Sequence, residues 1–275
     1  MIKSVAIQGI KGSFHHIVAL QYFDVPVAVE ECLTFDGAVQ SVLTHKTDAV
    51  IMAIENSIAG SIIPNYALLD SNNLHIIGEH YLDIQHHLMG LPGQTIADIQ
   101  EVYSHPMALL QCKQFFKNYP HIKLVEDKDT AEVAQRIQQK QLKHVGAIAS
   151  KLASELFELT IISESIQTIK HNETRFVIAK TTNSEVDEVK IDKASLKFEL
   201  DHKRGSLASI LNVMSDCNLN LTKIQSLPKI ETPWKYAFFV DVTFEAYQDY
   251  QKAKSIMEIM AQDFKVLGEY KNARQ

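Results

Sequence analysis

Arginine is scarce in this chain, with four in all, and Arg175 leads directly into the apolar run Phe176-Val177-Ile178-Ala179. A guanidinium at the mouth of a buried strand needs a counterion or an anionic ligand. Its fork geometry suits a carboxylate, and an internal ion pair is the alternative. Thr174 sets a hydroxyl beside it, and Asn172 can orient that hydroxyl or a ligand. The Asn-x-Thr spacing also fits a glycosylation acceptor, discounted because nothing indicates secretion. Glu55-Asn56-Ser57 follows the hydrophobic stretch 49–54. Polar groups at a strand's carboxyl end can present hydrogen bonds and backbone N–H groups to an anion, or they can simply cap a helix. Gly9-x-x-Gly12-Ser13-Phe14 follows the first strand without the third glycine of a dinucleotide fingerprint. A Gly-Ser loop at a helix start suits a carboxylate, and a plain β-to-α turn is its simpler reading. Ser104-His105-Pro106 follows another strand, and Pro106 favours the first helical turn, so Ser104 or His105 either caps the helix or touches a ligand. The twelve histidines have no metal-ligand spacing, and His86 and His87 read as surface or core residues.

The elements that must position these residues alternate. Ser4–Gln8, 48–54, Val102–Ser104, Val145–Ala149 and Arg175–Ala179 read as strands. Helical patterns fall at Ser13–Tyr22, Ile63–Leu69 and Met107–Phe116, which implies a largely parallel α/β sheet. Thr181–Lys193 is polar and reads as a linker. Beyond it, Leu196, Phe198 and Leu200 alternate as a strand, and Leu207, Ile210, Leu211 and Met214 share a helical face. Strands follow at Leu219–Ser226 and around Tyr236–Val242. Ile256, Ile259, Met260 and Phe264 mark a second helix, and Lys265–Tyr270 closes a fourth strand. The order βαββαβ is ferredoxin-like. A length of 275 residues suits two domains and a sizeable core. Lys+Arg 27 against Asp+Glu 33 gives a net charge of −6, which argues against nucleic-acid or anionic-membrane partners. The longest apolar run is six residues, too short to span a bilayer. The N-terminus lacks a signal-peptide core, and three scattered cysteines argue against a disulfide framework or zinc cluster. A cytoplasmic location is expected.

Taken together, these segments resemble the prephenate dehydratase family. Gly9-Ile10-Lys11-Gly12-Ser13-Phe14 looks like its G-x-x-G-T/S-F element, and Glu55-Asn56-Ser57-Ile58-Ala59-Gly60 matches E-N-S-x-x-G. Ser104-His105-Pro106-Met107-Ala108-Leu109 resembles S-H-P-Q-A-L with Met107 for glutamine, and Gln111-Cys112 continues the match. Asn172-Glu173-Thr174-Arg175-Phe176 matches the N-x-T-R-F motif carrying the family's essential threonine. The resemblance implies an α/β fold with a catalytic domain at residues 1–180, similar to a two-subdomain periplasmic binding protein. One subdomain would span about residues 1–75 and 160–180, the other about 76–159, with the site in their cleft. A linker at 181–193 and a ferredoxin-like ACT domain at 194–275 follow.

The implied reaction turns prephenate into phenylpyruvate, carbon dioxide and water, with no cofactor and no metal. Thr174 would deliver a proton to the departing hydroxyl, with Asn56, Ser57 and Asn172 orienting it and Glu55 as acid or brace. Arg175 would fork onto a substrate carboxylate. Gly12, Ser13, Ser104 and His105 would supply further contacts, Phe14 and Phe176 would wall the ring, and Ala108 and Leu109 would line the substrate site. In the ACT part, Gly205-Ser206-Leu207-Ala208 and Asn220-Leu221, with Ser226, correspond to a phenylalanine effector site between domains of a homodimer or homotetramer. Gln225 and Leu227 stand where the family commonly has Glu and Arg, which leaves L-phenylalanine regulation less supported than catalysis. Arogenate as substrate, or a catalytically inert dicarboxylate or amino-acid sensor, are the rival readings. A chorismate mutase fusion is not expected, since no extra helical region precedes Ser4 and nothing of domain size follows Tyr270.

Overall fold

The computed structural model describes residues 2–182, 187–201, 203–228 and 235–274. In chain order the elements are β1 (Ser4–Gln8), α1 (Phe14–Tyr22), β2 (Ala28–Cys32), α2 (Phe35–Leu43), β3 (Ala49–Asn56), β4 (Gly60–Ser61), α3 (Ile63–Ser71), β5 (His75–Asp83) and β6 (His87–Gly90). After a short 3₁₀ turn come β7 (Glu101–Ser104), α4 (Pro106–Phe116), β8 (Lys123–Glu126), α5 (Thr130–Lys140), β9 (Val145–Ala149), α6 (Lys151–Leu156), β10 (Thr160–Ser163) and β11 (Glu173–Lys180). The remainder is β12 (Lys193–Glu199), α7 (Ser206–Asp216), β13 (Asn220–Pro228), β14 (Tyr236–Thr243), α8 (Tyr247–Met260) and β15 (Gln262–Tyr270). The chain divides into two compact units, Met1–Gly60 with Tyr81–Phe176, and Ser61–His80 with Val177–Gln275.

In the first unit, β1 lies between β2 and β3, all parallel. Val5, Ala6, Ile7 and the run Ala49–Met52 have no exposure, as expected of parallel strands covered on both faces. The first half of β11 lies beside β3. A second sheet, ordered β10-β6-β9-β7-β8, is parallel at β8-β7-β9 and antiparallel at β9-β6-β10. Helix caps punctuate the βα turns. Ser13 accepts from His16 N–H, Asp129 from Ala131 and Glu132 N–H, and Ser150 from Ala153 N–H.

In the second unit, β12, β13, β14 and β15 form an antiparallel sheet ordered β13-β14-β12-β15, with α7 and α8 completing βαββαβ. This is the ferredoxin-like arrangement. β5 adds to β15 in parallel at Gly268–Ile76, where a side chain on Gly268 would come within 2.2 Å of the Ile76 carbonyl oxygen. Three details differ from the sequence reading. β12 opens at Lys193, within the segment read as linker, because that side chain is buried against Glu79; residues 183–186 of that segment lie outside the described residues. Phe264 belongs to β15 rather than to the second helix. The buried face of α8 is Tyr250, Ala253 and Met257, whereas Ile256, Ile259 and Met260 are exposed: the helical register puts those three on the solvent side.

Candidate active site

The loop after β3 is anchored by its own asparagine. The Ile58 and Ala59 N–H groups donate to Asn56 Oδ1 at 3.0 and 2.8 Å, which forces the Asn56 amide nitrogen to face the other way. That nitrogen donates to Asn172 Oδ1 at 2.7 Å and to Thr174 Oγ1 at 2.8 Å. Ser57 ties the same loop to β11: its N–H donates to the Glu173 carbonyl at 2.8 Å, and its hydroxyl oxygen accepts from Glu173 N–H at 2.9 Å. Glu55 is half-buried at the end of β3. Asn172, fully buried, accepts from Ile84 N–H through its carbonyl and donates from Nδ2 to Gln111 Oε1 at 2.9 Å. The hydroxyl hydrogen of Thr174 has no acceptor among the described residues, so Thr174 is a hydroxyl held by a donor and left free to donate.

The glycine loop lies in the same unit. Gly12 adopts φ +92°, and a side chain there would meet the Ala153 backbone at 3.1 Å, so the close approach requires glycine. Its carbonyl accepts from Ser150 Oγ at 2.6 Å, and its N–H donates to His16 Nδ1. Ser13 caps α1, and Phe14 meets the His86 ring edge-on with centroids 5.6 Å apart. Phe176 is buried and meets His15 edge-on.

The other expected site residues make contacts of their own. Successive side chains of a strand point to opposite faces, so Arg175, 4 % exposed, does not share a face with Thr174. The hydroxyl of Ser104 is spent on the Ile148 carbonyl at 2.7 Å. His105 is the N-cap of α4, accepting from Met107 N–H. Ala108 and Leu109 lie on the inner face of α4, packed in a core with Leu88, Val102 and Cys112. In the second unit, Gly205 caps α7 with φ +85° and Ser206, Leu207 and Ala208 form its first turn. Asn220 and Leu221 open β13, and Ser226 lies farther along it.

Two residues of the network were missed as site residues. Gln111, on α4, receives Asn172 Nδ2 and is 2.9 Å from His86 Nε2. A glutamine flanked by Leu110 and Cys112 on a mainly apolar helix was the available signal. His86 lacked one, because its partners come from α4 and from the segment before β11. Among the described residues no cluster of His, Cys, Asp and Glu could hold a metal, and no helix is long and apolar enough to cross a membrane.

Burial holds His15 down to a pKa of about 3 and His86 to about 4. Both rings are neutral in the fold, whereas in the unfolded chain they protonate near 6.5. The unfolded state therefore takes up more protons as pH falls below 6.5. Stability is fully present above that pH and is lost progressively down to the folded values, by up to about tenfold per histidine per pH unit. The urea midpoint is expected to fall already between pH 6.5 and 5, above the range of ordinary carboxylates; a flat midpoint there contradicts neutral burial.

These features define an α/β protein with a buried network of carboxamides around one threonine hydroxyl. The sequence profile described as prephenate dehydratase matches residues 5–184, and the chain belongs to that family. It is 31% identical over 271 residues to a bifunctional chorismate mutase/prephenate dehydratase of Enterobacter agglomerans, covering 97% of this chain and 70% of that protein. It is 36% identical over 256 residues to arogenate dehydratase/prephenate dehydratase 1 of Arabidopsis thaliana, covering 88% of this chain and 64% of that protein. Among solved structures, the prephenate dehydratase of Staphylococcus aureus aligns with TM-score 0.83 at 27% identity, covering 97% of this chain and 99% of that one. GqqA, described as a quorum quenching acylase, aligns with TM-score 0.88 at 26% identity, covering 98% of each.

Proposed function

We propose that this chain converts prephenate to phenylpyruvate, with Thr174 as the proton donor to the leaving hydroxyl. The observation that carries the reading is the Asn56 amide nitrogen bridging Asn172 Oδ1 and Thr174 Oγ1, which leaves the threonine hydrogen available. The ring carboxylate leaves as carbon dioxide, and its bonding electrons enter the ring. The ring C–O bond breaks, and the departing hydroxide takes one proton to become water. Aromatisation supplies much of the driving force. A threonine is a poor acid in water, so oriented partners and exclusion of solvent are what make it competent. Thr174 Oγ1 faces a donor rather than a base, which argues against its use as the attacking nucleophile of an acylase. Phe14 and Phe176 wall the ring in this reading.

In the same reading residues 1–180 are catalytic and the βαββαβ part is an ACT regulatory domain. L-phenylalanine would bind near Gly205–Ala208, Asn220, Leu221 and Ser226. β13, at the edge of its sheet, would pair with a second copy in a homodimer or homotetramer. The test is purified protein with prephenate and, in parallel, arogenate, with and without phenylalanine, following the aromatic product. Phenylpyruvate from prephenate is expected. Product from arogenate alone moves the substrate to the amino counterpart, and no product from either overturns the enzyme reading.

A further inference from the structure

The hydrogen bonds around Thr174 have a direction, and that direction can be followed outward. The backbone N–H groups of Ile58 and Ala59 fix Asn56 with its oxygen toward them and its nitrogen toward Asn172 and Thr174. Asn172 must then accept through Oδ1 and donate through Nδ2. Gln111 must receive that donation through Oε1, and the same oxygen lies 2.9 Å from His86 Nε2. An oxygen can meet that ring atom only if the ring atom carries hydrogen. His86 is therefore the Nε2–H tautomer, and its Nδ1 is left bare. Nδ1 is fully buried with no hydrogen-bond partner. A buried, unsatisfied acceptor is costly, and phenylalanine would fill the same space against Phe14 without that cost. What phenylalanine lacks is the N–H.

We propose that His86 is a positioning residue for the Thr174 chemistry: its Nε2–H pins the Gln111 carboxamide, which in turn holds Asn172 and Asn56 in the orientation that frees the threonine hydrogen. The relay is thus clamped at both ends, by two backbone amides and by one imidazole. The Gln111 amide nitrogen has no partner among the described residues, so without His86 only the donation from Asn172 Nδ2 resists a flip of that carboxamide. A flipped Gln111 would set an N–H group against Asn172 Nδ2, donor against donor.

The inference rests on the proposed reaction, but its first test does not. A long-range ¹H–¹⁵N spectrum of the intact protein reports which imidazole nitrogen of His86 is protonated. Nε2–H with bare Nδ1 is expected, and Nδ1–H overturns the proposal whatever the substrate proves to be. Kinetics are the second test. His86→Phe is expected to lower kcat on the order of tenfold with little change in KM, since a small misalignment costs rate more than affinity. His86→Gln, which keeps an N–H donor, should recover part of it. In a Gln111→Leu background, His86→Phe should cost nothing further, because coupling through a shared partner is non-additive. Full activity in His86→Phe, or an equal loss in both backgrounds, overturns the proposal. If His86→Phe does not fold, the spectrum and His86→Gln decide. Protein with the expected tautomer but no turnover of prephenate or arogenate refutes the reaction alone.

Discussion

Thr174→Ala is expected to lower turnover by about 10²–10⁴-fold, the usual contribution of a positioned proton donor, while the protein stays folded. Alanine removes the only hydroxyl that Asn56 Nδ2 holds, yet that amide keeps Asn172 Oδ1 at 2.7 Å as a partner, so the loop after β3 retains its anchor. Thr174 lies in β11, where the larger buried residue Phe176 dominates the packing on the same face. The loss should therefore appear in kcat, with the melting temperature nearly unchanged. Thr174→Ser restores the hydroxyl without the branched methyl that limits its rotamers and should recover much of the rate. Phenylpyruvate formation by a folded Thr174→Ala variant at close to the parent rate would remove threonine from the chemistry.

The largest effect on stability is expected at Lys193. Its ammonium sits 2.8 Å from both carboxylate oxygens of Glu79, with side chains 4% and 0% exposed. Breaking such a pair from one side strands a charge in a dry environment, at a cost of about 3–5 kcal/mol. Lys193→Met should thus lower unfolding free energy by that amount. Replacing both groups, Lys193→Met with Glu79→Leu, removes the stranded charge and should recover most of the loss. Denaturant unfolding of the two single variants and the double variant measures this. A double variant as unstable as the sum of the singles would show that the pair is not an isolated charge couple. Ala273 N–H also donates to Glu79 Oε1, so Glu79→Leu alone removes an acceptor from that amide as well as the carboxylate from the ammonium and should be the worse single change.

The contrast between what was legible and what was not follows from the range of each signal. Gly12 and Ser13 announced a turn and a helix start because their conformational demands are local, and Ser13 is indeed the cap of α1. The alternation of Leu196 and Phe198 and of Phe238, Val240 and Val242 revealed a sheet with a core on one face. The opposite face of β12 is equally buried but carries Lys193, Ser195, Lys197 and Glu199. Its partners Glu79 and Asp70 lie more than a hundred residues earlier, so no local pattern marked Lys193 as interior. The same limit explains the site. Asn56, Asn172 and Thr174 were legible through their motifs, whereas Gln111 and His86 acquire meaning only when α4 and the segment before β6 meet behind Asn172. Arg175 follows Thr174 directly in sequence, yet adjacency in a strand sends the two side chains to opposite faces. Ala108 and Leu109 belong to the same motif and pack in the core beneath α4.

No residue of β12 is open to solvent, and the strand is flanked by β14 on one side and β15 on the other. Fluctuations of this unit can fray the outer strand β13 without touching it. Freeing a β12 amide means parting two ladders together with an apolar and an ionic layer, which amounts to unfolding the whole unit. Its backbone hydrogens are then the last in that unit to trade places with those of water.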